Sequence, residues 1–134
     1  MSSRIDDTLR FNQTALNLRA ARQELIASNI ANADTPNFKA KDIDFASAIK
    51  EALAGSASKL AMTTTVAAHQ RGEAGTVAAG AALKYRTPTQ ASADGNTVDM
   101  DVERAQFAEN ALRYEASVQF VSGQVKSILS AIQG

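Results

Sequence analysis

A seven-residue repeat of apolar side chains near the C-terminus most constrains what this chain can fold into. Two columns of the repeat, offset by four residues, correspond to the d and a positions of a heptad. The d column is Met100, Phe107, Tyr114, Val121 and Ile128, and the a column is Arg104, Ala111, Val118, Val125 and Ile132. Only Arg104 interrupts the apolar seam. The pattern predicts one helix over residues 98–132, about 50 Å long, which needs another long helix beside it.

The repeat alone leaves the partner of this helix open. An ordinary bundle helix whose seam lies in a core would carry the same apolar residues. A sustained seven-residue period nevertheless favours a left-handed coiled coil, either within one chain or between chains. The polar residues between the columns, among them Glu103 and Gln119, are expected to face water or a second partner.

The N-terminal segment, residues 5–31, predicts the other long helix. No proline or glycine interrupts it, and Asp6 or Asp7 can cap its start. Its apolar side chains fall on two nearly opposite faces, one with Ile5, Leu9, Leu16, Ile26 and Ile30 and the other with Phe11, Leu18 and Leu25. A helix in a small domain normally has one apolar face. We therefore expect one face to meet the C-terminal helix and the other to meet a neighbouring molecule.

Length and composition exclude several classes of protein. A chain of 134 residues predicts a single domain (1–134) with a limited core, because much of the 45% apolar content is alanine. Fourteen basic residues balance fourteen acidic ones, so no net charge attracts nucleic acid or anionic lipid. Neither a membrane-spanning run nor the apolar core of a signal peptide is visible. We expect a protein that stays in the cytoplasm or leaves by a route that reads no such signal.

No group of side chains predicts catalysis. His69 is the single histidine and lies in a polar stretch without a predictable partner. Asp99, Asp101 and Glu103 lack the spacing of a calcium-binding loop, and the chain has no cysteine for a thiolate metal site. We therefore expect no catalytic residue, no cofactor and no metal site.

The middle segment, residues 32–97, is expected to be loop-rich and partly extended. Asp44 can cap a short helix that runs through Leu53. Beyond residue 60 the chain is rich in alanine, threonine and glycine, with extended pieces expected near Thr63–Val66 and Leu83–Arg86. So long a loop is uncommon in a compact domain. We interpret it as an insertion that orders against neighbouring subunits.

Two motifs flank this middle segment. The first is Asn29, Ile30, Ala31 and Asn32, followed by Thr35, Pro36, Asn37 and Phe38; the second is Asp94, Gly95, Asn96, Thr97, Val98, Asp99, Met100 and Asp101. Pro36 forces Thr35 out of the α region, so the first helix must end before it. Asp94 and Gly95 signal a turn, and Thr97 or Asp99 can cap the C-terminal helix.

The two motifs resemble those of the bacterial flagellar basal-body rod protein family. The first is similar to the axial-protein signature Asn-Ile-Ala-Asn-x-x-Thr-Pro-Gly-Tyr/Phe, with Asn37 in place of the usual glycine. Asparagine tolerates the positive φ that such a turn needs, so we expect the turn to be kept. The second motif resembles the stretch ahead of the C-terminal helix in proximal rod subunits.

The resemblance implies a mainly α protein in which the two terminal helices form a coiled coil. Residues 32–97 leave ample chain for the return, so we expect the helices to pair antiparallel. The residues expected to serve helix packing and assembly are Leu9, Phe11, Leu16, Leu18, Leu25, Ile30, Phe107, Tyr114, Val118, Val121, Val125 and Ile128.

The resemblance also implies a function, that of a structural subunit in the proximal part of the rod. Such a subunit would assemble helically with itself and with other rod proteins, and would transmit torque. Its implied partners are the adaptor FliE, the MS ring and the export gate, and its implied location is the periplasmic rod, reached by type III export without a cleaved signal peptide. An alternative stays open from the residues alone, namely a cytoplasmic coiled-coil adaptor or chaperone that forms a small closed oligomer.

Overall fold

The computed structural model describes residues 4–54 and 82–134, which contain three helices and two short strands. In chain order these are α1 (Arg4–Ala31), β1 (Lys41–Ile43), α2 (Phe45–Leu53), β2 (Leu83–Tyr85) and α3 (Met100–Gln133). The prediction of a mainly α chain with two long terminal helices is confirmed. His69 and the extended piece expected at residues 63–66 lie outside the described residues.

The two long helices pack against each other in antiparallel directions. Asn12, near the start of α1, donates from Nδ2 to Oε1 of Gln124, near the end of α3, over 2.9 Å. Asn29, near the end of α1, donates from Nδ2 to Oε2 of Glu103, near the start of α3, over 3.3 Å. The predicted antiparallel pairing is therefore confirmed. In the part of the chain that the structure describes, neither long helix is apolar enough to cross a bilayer.

Polar residues line the side of α3 that faces α1. Glu103, Asn110 and Gln124 each share a hydrogen bond with α1, and Ser117 falls between them at the same seven-residue spacing. Glu103 is 0% exposed and Asn110 is 1% exposed. This corrects the expectation that Glu103 faces water or a second partner. The seven-residue repeat identifies the positions of the apolar side chains on α3. It does not exclude a buried polar side chain whose hydrogen-bond partners lie in the interior of the protein.

A second, smaller core forms where α2 and β1 fold back onto α1. Leu18 is buried together with Ile43 and Ala48, and Leu25 packs against this cluster. We expected α3 to cover one apolar face of α1 and a neighbouring molecule to cover the other, but α2 and β1 of the chain itself cover Leu18 and Leu25. The short helix can do so because its apolar residues are three and four positions apart and share one side.

The helix starts follow local capping chemistry. The carboxylate of Asp44 caps α2 by accepting a backbone N–H in its first turn at 3.3 Å, as predicted. Asp99 rather than Thr97 caps α3, accepting two backbone N–H groups at 3.0 and 3.3 Å. Asp6 and Asp7 lie within the first turn of α1 and are not its cap, because the helix already includes residue 4. Their negative charges still complement the positive end of the helix dipole.

The two strands form a two-stranded antiparallel sheet beside α1. Lys41 pairs with Tyr85, and Ile43 pairs with Leu83. The extended piece expected near Leu83–Arg86 is therefore confirmed. This pairing brings the chain that leads into the second motif next to the chain that leaves the first.

Candidate functional site

The two sequence motifs lie against each other at the end of the bundle where α1 ends and α3 begins. The backbone N–H of Asn37 donates to the carbonyl of Asp94 over 2.9 Å, and that of Thr97 donates to the carbonyl of Phe38 over 3.0 Å. We call residues 29–41 together with 94–99 the motif junction. The structure thus brings together two segments that are far apart in sequence, which neither motif predicts by itself.

Asn96 satisfies the backbone at the exit of α1. Its side chain is nearly buried, and its Nδ2 donates to the carbonyl oxygens of Asn32, Ala33 and Thr35 at 3.0, 2.8 and 2.9 Å. These carbonyls belong to the turn that follows α1, and those of Asn32 and Thr35 also accept backbone N–H groups within that turn. Asn96 supplies two N–H groups to these three acceptors, while its Oδ1 accepts from the backbone N–H of Val98 at 2.8 Å. One side chain therefore ties the second motif to the first.

Asn29, the first residue of the signature, fixes the last turn of α1 to β1. Its buried side chain accepts from the backbone N–H of Lys41 at 3.0 Å and donates to the carbonyl of the same residue at 2.8 Å. The amide group thus pairs with the strand much as a neighbouring strand would. Its third contact, with Glu103, adds α3 to the same point.

Two residues with positive φ face each other in the junction. Asn37 has φ of 60° and Gly95 has φ of 73°. The left-handed conformation expected at Asn37 is therefore confirmed. A Cβ at Gly95 would lie 2.5 Å from Oδ1 of Asn37, so a side chain cannot be added there unless the side chain of Asn37 moves. Lys39 also donates from Nζ to the carbonyl of Gly95.

Next to the junction lies a group of charged side chains that the sequence did not reveal, here called the charged cluster: Arg22, Asp42, Arg86 and Glu103. Arg22 Nε lies 2.9 Å from Asp42 Oδ1, and Arg86 Nη2 lies 2.8 Å from Asp42 Oδ2. Arg86 also donates from Nη1 to Oε1 of Glu103, and both arginines donate to Oε1 of Gln106. The charged cluster therefore joins α1, β1, α3 and the residue that follows β2.

Burial and neighbouring charges shift the pKa values of these groups in different directions. Burial raises the pKa of Glu103 above its ordinary value, although the nearby guanidinium of Arg86 opposes this. Burial would also raise the pKa of Asp42, but hydrogen bonds from Arg22 and Arg86 outweigh it and hold that pKa below its ordinary value. The hydrogen bond with Asp42 in turn raises the pKa of Arg22. Asp42 has two arginine partners, whereas Glu103 has one, and the directions follow this difference.

Sequence reasoning missed the charged cluster because its members belong to four separate segments. One signal was present, since Arg22 lies four residues after Leu18 and three before Leu25, on an otherwise apolar face of α1. A charged residue in such a position needs a buried partner. The sequence does not indicate that Asp42 is this partner.

The residues predicted to serve helix packing and assembly divide into covered and exposed groups. On α1, Leu18 is buried, Leu9, Leu16, Leu25 and Ile30 are half-buried, and Phe11 is exposed. On α3, Val121 and Ile128 are half-buried, whereas Phe107, Tyr114, Val118 and Val125 are exposed. Their role in assembly stays a prediction.

The second half of α3 presents an apolar surface with little charge. From residue 116 to residue 134 the only charged side chain is Lys126. We call the exposed apolar residues of this half the C-terminal apolar surface: Val118, Phe120, Val125, Leu129 and Ile132. Their exposed fractions run from 40% for Val118 to 76% for Ile132. So much exposed apolar area on one helix is typical of an interaction site.

Within residues 4–54 and 82–134, no three acidic or histidine side chains are grouped so that they could hold a metal ion. The polar residues described above instead bind backbone groups or each other. The arrangement fixes the relative positions of two long helices, and what it offers to other molecules is helix surface.

Comparison with known proteins agrees with this architecture. The family model described as flagella basal body rod protein matches residues 9–39, which include most of α1 and the first motif. Curated relatives match along nearly the whole chain, at 50% identity over 99% of this chain and 98% of the relative from Escherichia coli (strain K12). The chain belongs to the flagellar basal body rod proteins.

Within that family, the full-length relatives are named Flagellar basal body rod protein FlgB. The relative from Salmonella typhimurium is 47% identical over 100% of this chain and 99% of its own length. The relative from Aeromonas hydrophila is 38% identical over 100% of this chain and 98% of its own length. The resemblance inferred from the two motifs is thereby confirmed.

Proposed function

We propose that this rod protein forms the proximal part of the rod, assembling helically with itself and with other rod proteins. The observation that carries the proposal is the C-terminal apolar surface on α3. An isolated subunit leaves these side chains in water, and their burial against other helices would favour assembly by about 25 cal/mol per Å² of apolar area. The charge-poor sequence of this half of α3 fits a helix covered on more than one side.

The proposed role is mechanical and involves no catalysis. Torque applied to α3 would pass to α1 through the packed helices and through the side chains that bridge them. Asn29 and Asn96 join the motif junction by hydrogen bonds, and the charged cluster adds ion pairs beside it. These contacts support the proposal because they hold the subunit as one unit under load.

The proposed neighbours and location are those of a proximal rod subunit. We propose contact with the adaptor FliE, the MS ring and the export gate, and a place in the periplasmic rod after type III export. The proposal is supported by the sequence similarity to FlgB proteins, which are 50% and 47% identical to this chain over 99% and 100% of its length. The alternative, a cytoplasmic adaptor forming a small closed oligomer, would make both the motif pair and this full-length similarity coincidental.

Deleting the gene in its native host tests the proposal. Detergent-extracted basal bodies are examined by electron microscopy, with the deletion strain complemented by the wild-type gene as the control. We expect MS rings without a rod in the deletion strain, and the protein in intact basal bodies of the complemented strain. Normal rods and filaments in the deletion strain would contradict the proposal.

A further inference from the structure

An open groove runs between α1 and α3 in the middle of the bundle. It has a volume of about 320 Å³ and is lined by Asn12, Arg19, Arg113, Ala116, Ser117 and Phe120. Two arginines thus stand on the two walls, and an exposed aromatic ring lies beside them. None of these lining residues carries a carboxylate.

The positive charge of this groove is only partly balanced. Arg19 stacks over the ring of Phe45, 4.4 Å from its centroid, and its buried Nε makes no hydrogen bond. Burial lowers the pKa of Arg19, and the like charges of Arg113 and Arg22 lower it further. Arg113 pairs with Glu109 at 2.5 Å, but both side chains are more than half exposed. Such exposed pairs contribute little, so another carboxylate can compete for Arg113.

The start of α3 and the adjoining junction carry charge of the opposite sign. Asp34, Asp94, Asp99 and Asp101 are all exposed there. Two exposed basic residues lie close by in the chain: Lys39, which is engaged with the carbonyl of Gly95, and Arg104, one turn after Asp101, so the four aspartates still outnumber them. One molecule therefore presents a basic groove at mid-bundle and an acidic surface at its junction end.

We propose that the groove between Arg19 and Arg113 receives the acidic start of α3, at Asp99 and Asp101, from a second copy of this chain. This inference rests on the proposed assembly and names one contact within it. Complementary surfaces at different places on one molecule make a heterologous contact, which generates a ring or an open helical array and not an isologous dimer; the proposed rod uses the open form. Placing Asp101 of one copy level with Arg113 of the other shifts the copies by twelve residues along the helix, about 18 Å. Two copies that run in the same direction would then have an axial offset of about that length, and Ala105 of one copy would lie beside Ser117 of the other.

Disulfide cross-linking tests this contact, because the chain contains no cysteine. Ala116→Cys places a thiol in the groove and Ala105→Cys places one a turn beyond Asp101, so all charges are kept. The doubly substituted chain is expressed in the deletion strain, and isolated basal bodies are oxidised mildly. We expect a disulfide-linked dimer of this chain, whereas each single substitution should give none.

Charge reversal shows whether the contact is electrostatic. Arg113→Glu in the cysteine background should lower the dimer yield about tenfold, since it puts like charges together. Asp101→Arg added to Arg113→Glu should restore the yield, and Lys50→Glu, at an exposed position on α2 outside both surfaces, serves as the control. Arg113→Glu alone could prevent incorporation of the chain into basal bodies. In that case Asp101→Arg should restore incorporation, and failure to restore it would contradict the inference.

The possible failures are distinguishable. Basal bodies that contain the protein but give no dimer, or that link Ala116→Cys to a different protein, overturn this contact and leave the proposed function intact. Absence of the wild-type protein from basal bodies overturns both.

Discussion

Arg86 bridges two carboxylates on separate elements, lying 2.8 Å from Asp42 of β1 through Nη2 and donating through Nη1 to Glu103 of α3. Glu103 is fully buried, so its charge depends on this partner. We expect Arg86→Met to lower the free energy of unfolding by about 3–5 kcal/mol at pH 7, because it leaves a buried carboxylate without a cation. Urea denaturation followed by circular dichroism measures the change, with Arg104→Met as the exposed control.

The same variant should show a defined pH dependence. The folded-state pKa of Glu103 is raised above its ordinary 4.5, so the folded protein holds this proton to higher pH than the unfolded chain. The stability contributed by protonation is therefore lost as pH rises from about 4.5 through the raised pKa. Arg86→Met should raise that pKa further, so its deficit should be smaller at pH 5 than at pH 7. An equal loss in the free energy of unfolding at pH 5 and pH 7 would contradict this account. So would the absence of any recovery of stability when Glu103→Gln is added to Arg86→Met.

Replacing Asn29 should weaken the attachment of α1 to β1. Asn29→Ala removes both hydrogen bonds to the backbone of Lys41 and leaves those groups unpaired. We expect a loss of about 1–3 kcal/mol in the free energy of unfolding. Asn17→Ala is the matched control, because that side chain lies exposed on the same helix. Equal effects of the two substitutions would show that the signature asparagine has no special structural role.

Gly95 and Gly123 should respond in opposite ways to substitution by alanine. Gly95→Ala forces a Cβ against Asn37 at a positive φ, and we expect a loss of at least about 1 kcal/mol. Gly123→Ala meets nothing within 4 Å inside α3, and should stabilise the free subunit by about 0.5–1 kcal/mol. Thermal unfolding of both variants beside the wild type checks the signs, and a stabilised Gly95→Ala variant would refute the junction geometry.

Asp44 should titrate at unusually low pH. Hydrogen bonds from Lys84 and then Ser47 lower its pKa to about 2. Because the folded pKa is depressed, its contribution to stability is present above pH 3.8 and lost as pH falls towards 2. Carbon-detected NMR of the carboxyl group measures the midpoint directly. Lys84→Gln should raise it, whereas Lys50→Gln should leave it unchanged; a midpoint near 4 in the wild type would contradict the contact.

A charge in the C-terminal apolar surface should block assembly without unfolding the subunit. Val125 is 42% exposed, so Val125→Asp should change the circular dichroism spectrum and melting temperature little. In the assembled rod the same carboxylate would be buried, and we expect the variant to be absent from isolated basal bodies. Ser127→Asp, also exposed on α3, supplies a control of equal charge. Normal incorporation of Val125→Asp would remove this surface from the proposed interface.

Residues with local signals were predicted well from sequence. The absence of proline and glycine set the extent of α1, the proline in the first motif ended it, and Asp44 marked the start of α2. Asn37 was correctly expected at a positive φ. Each of these features depends on a few neighbouring residues, which is why a single sequence suffices.

Features that join distant segments were not predictable in the same way. The apolar heptads of α3 indicated a long helix but not that Glu103 and Asn110 would line its contact with α1. Their burial depends on partners more than 70 residues away, at Asn29 and Arg19. Asn96 was identified as part of the second motif, but nothing in the sequence indicated that its side chain would bind carbonyls at the first motif. Hydrophobic periodicity carries no information about such polar pairings.

The placement of α2 and β2 has a consequence for how this protein can diverge. α2 ends at Leu53 and β2 begins at Leu83, and both elements pack on the same small core through Ile49 and Leu83. The stretch between them therefore starts and finishes at fixed, neighbouring points. The chain entropy lost in closing a loop between fixed ends grows by only about 0.6 kcal/mol when the loop doubles in length. Evolution, or an engineer inserting an epitope, can thus lengthen or shorten this stretch while the paired helices keep their register.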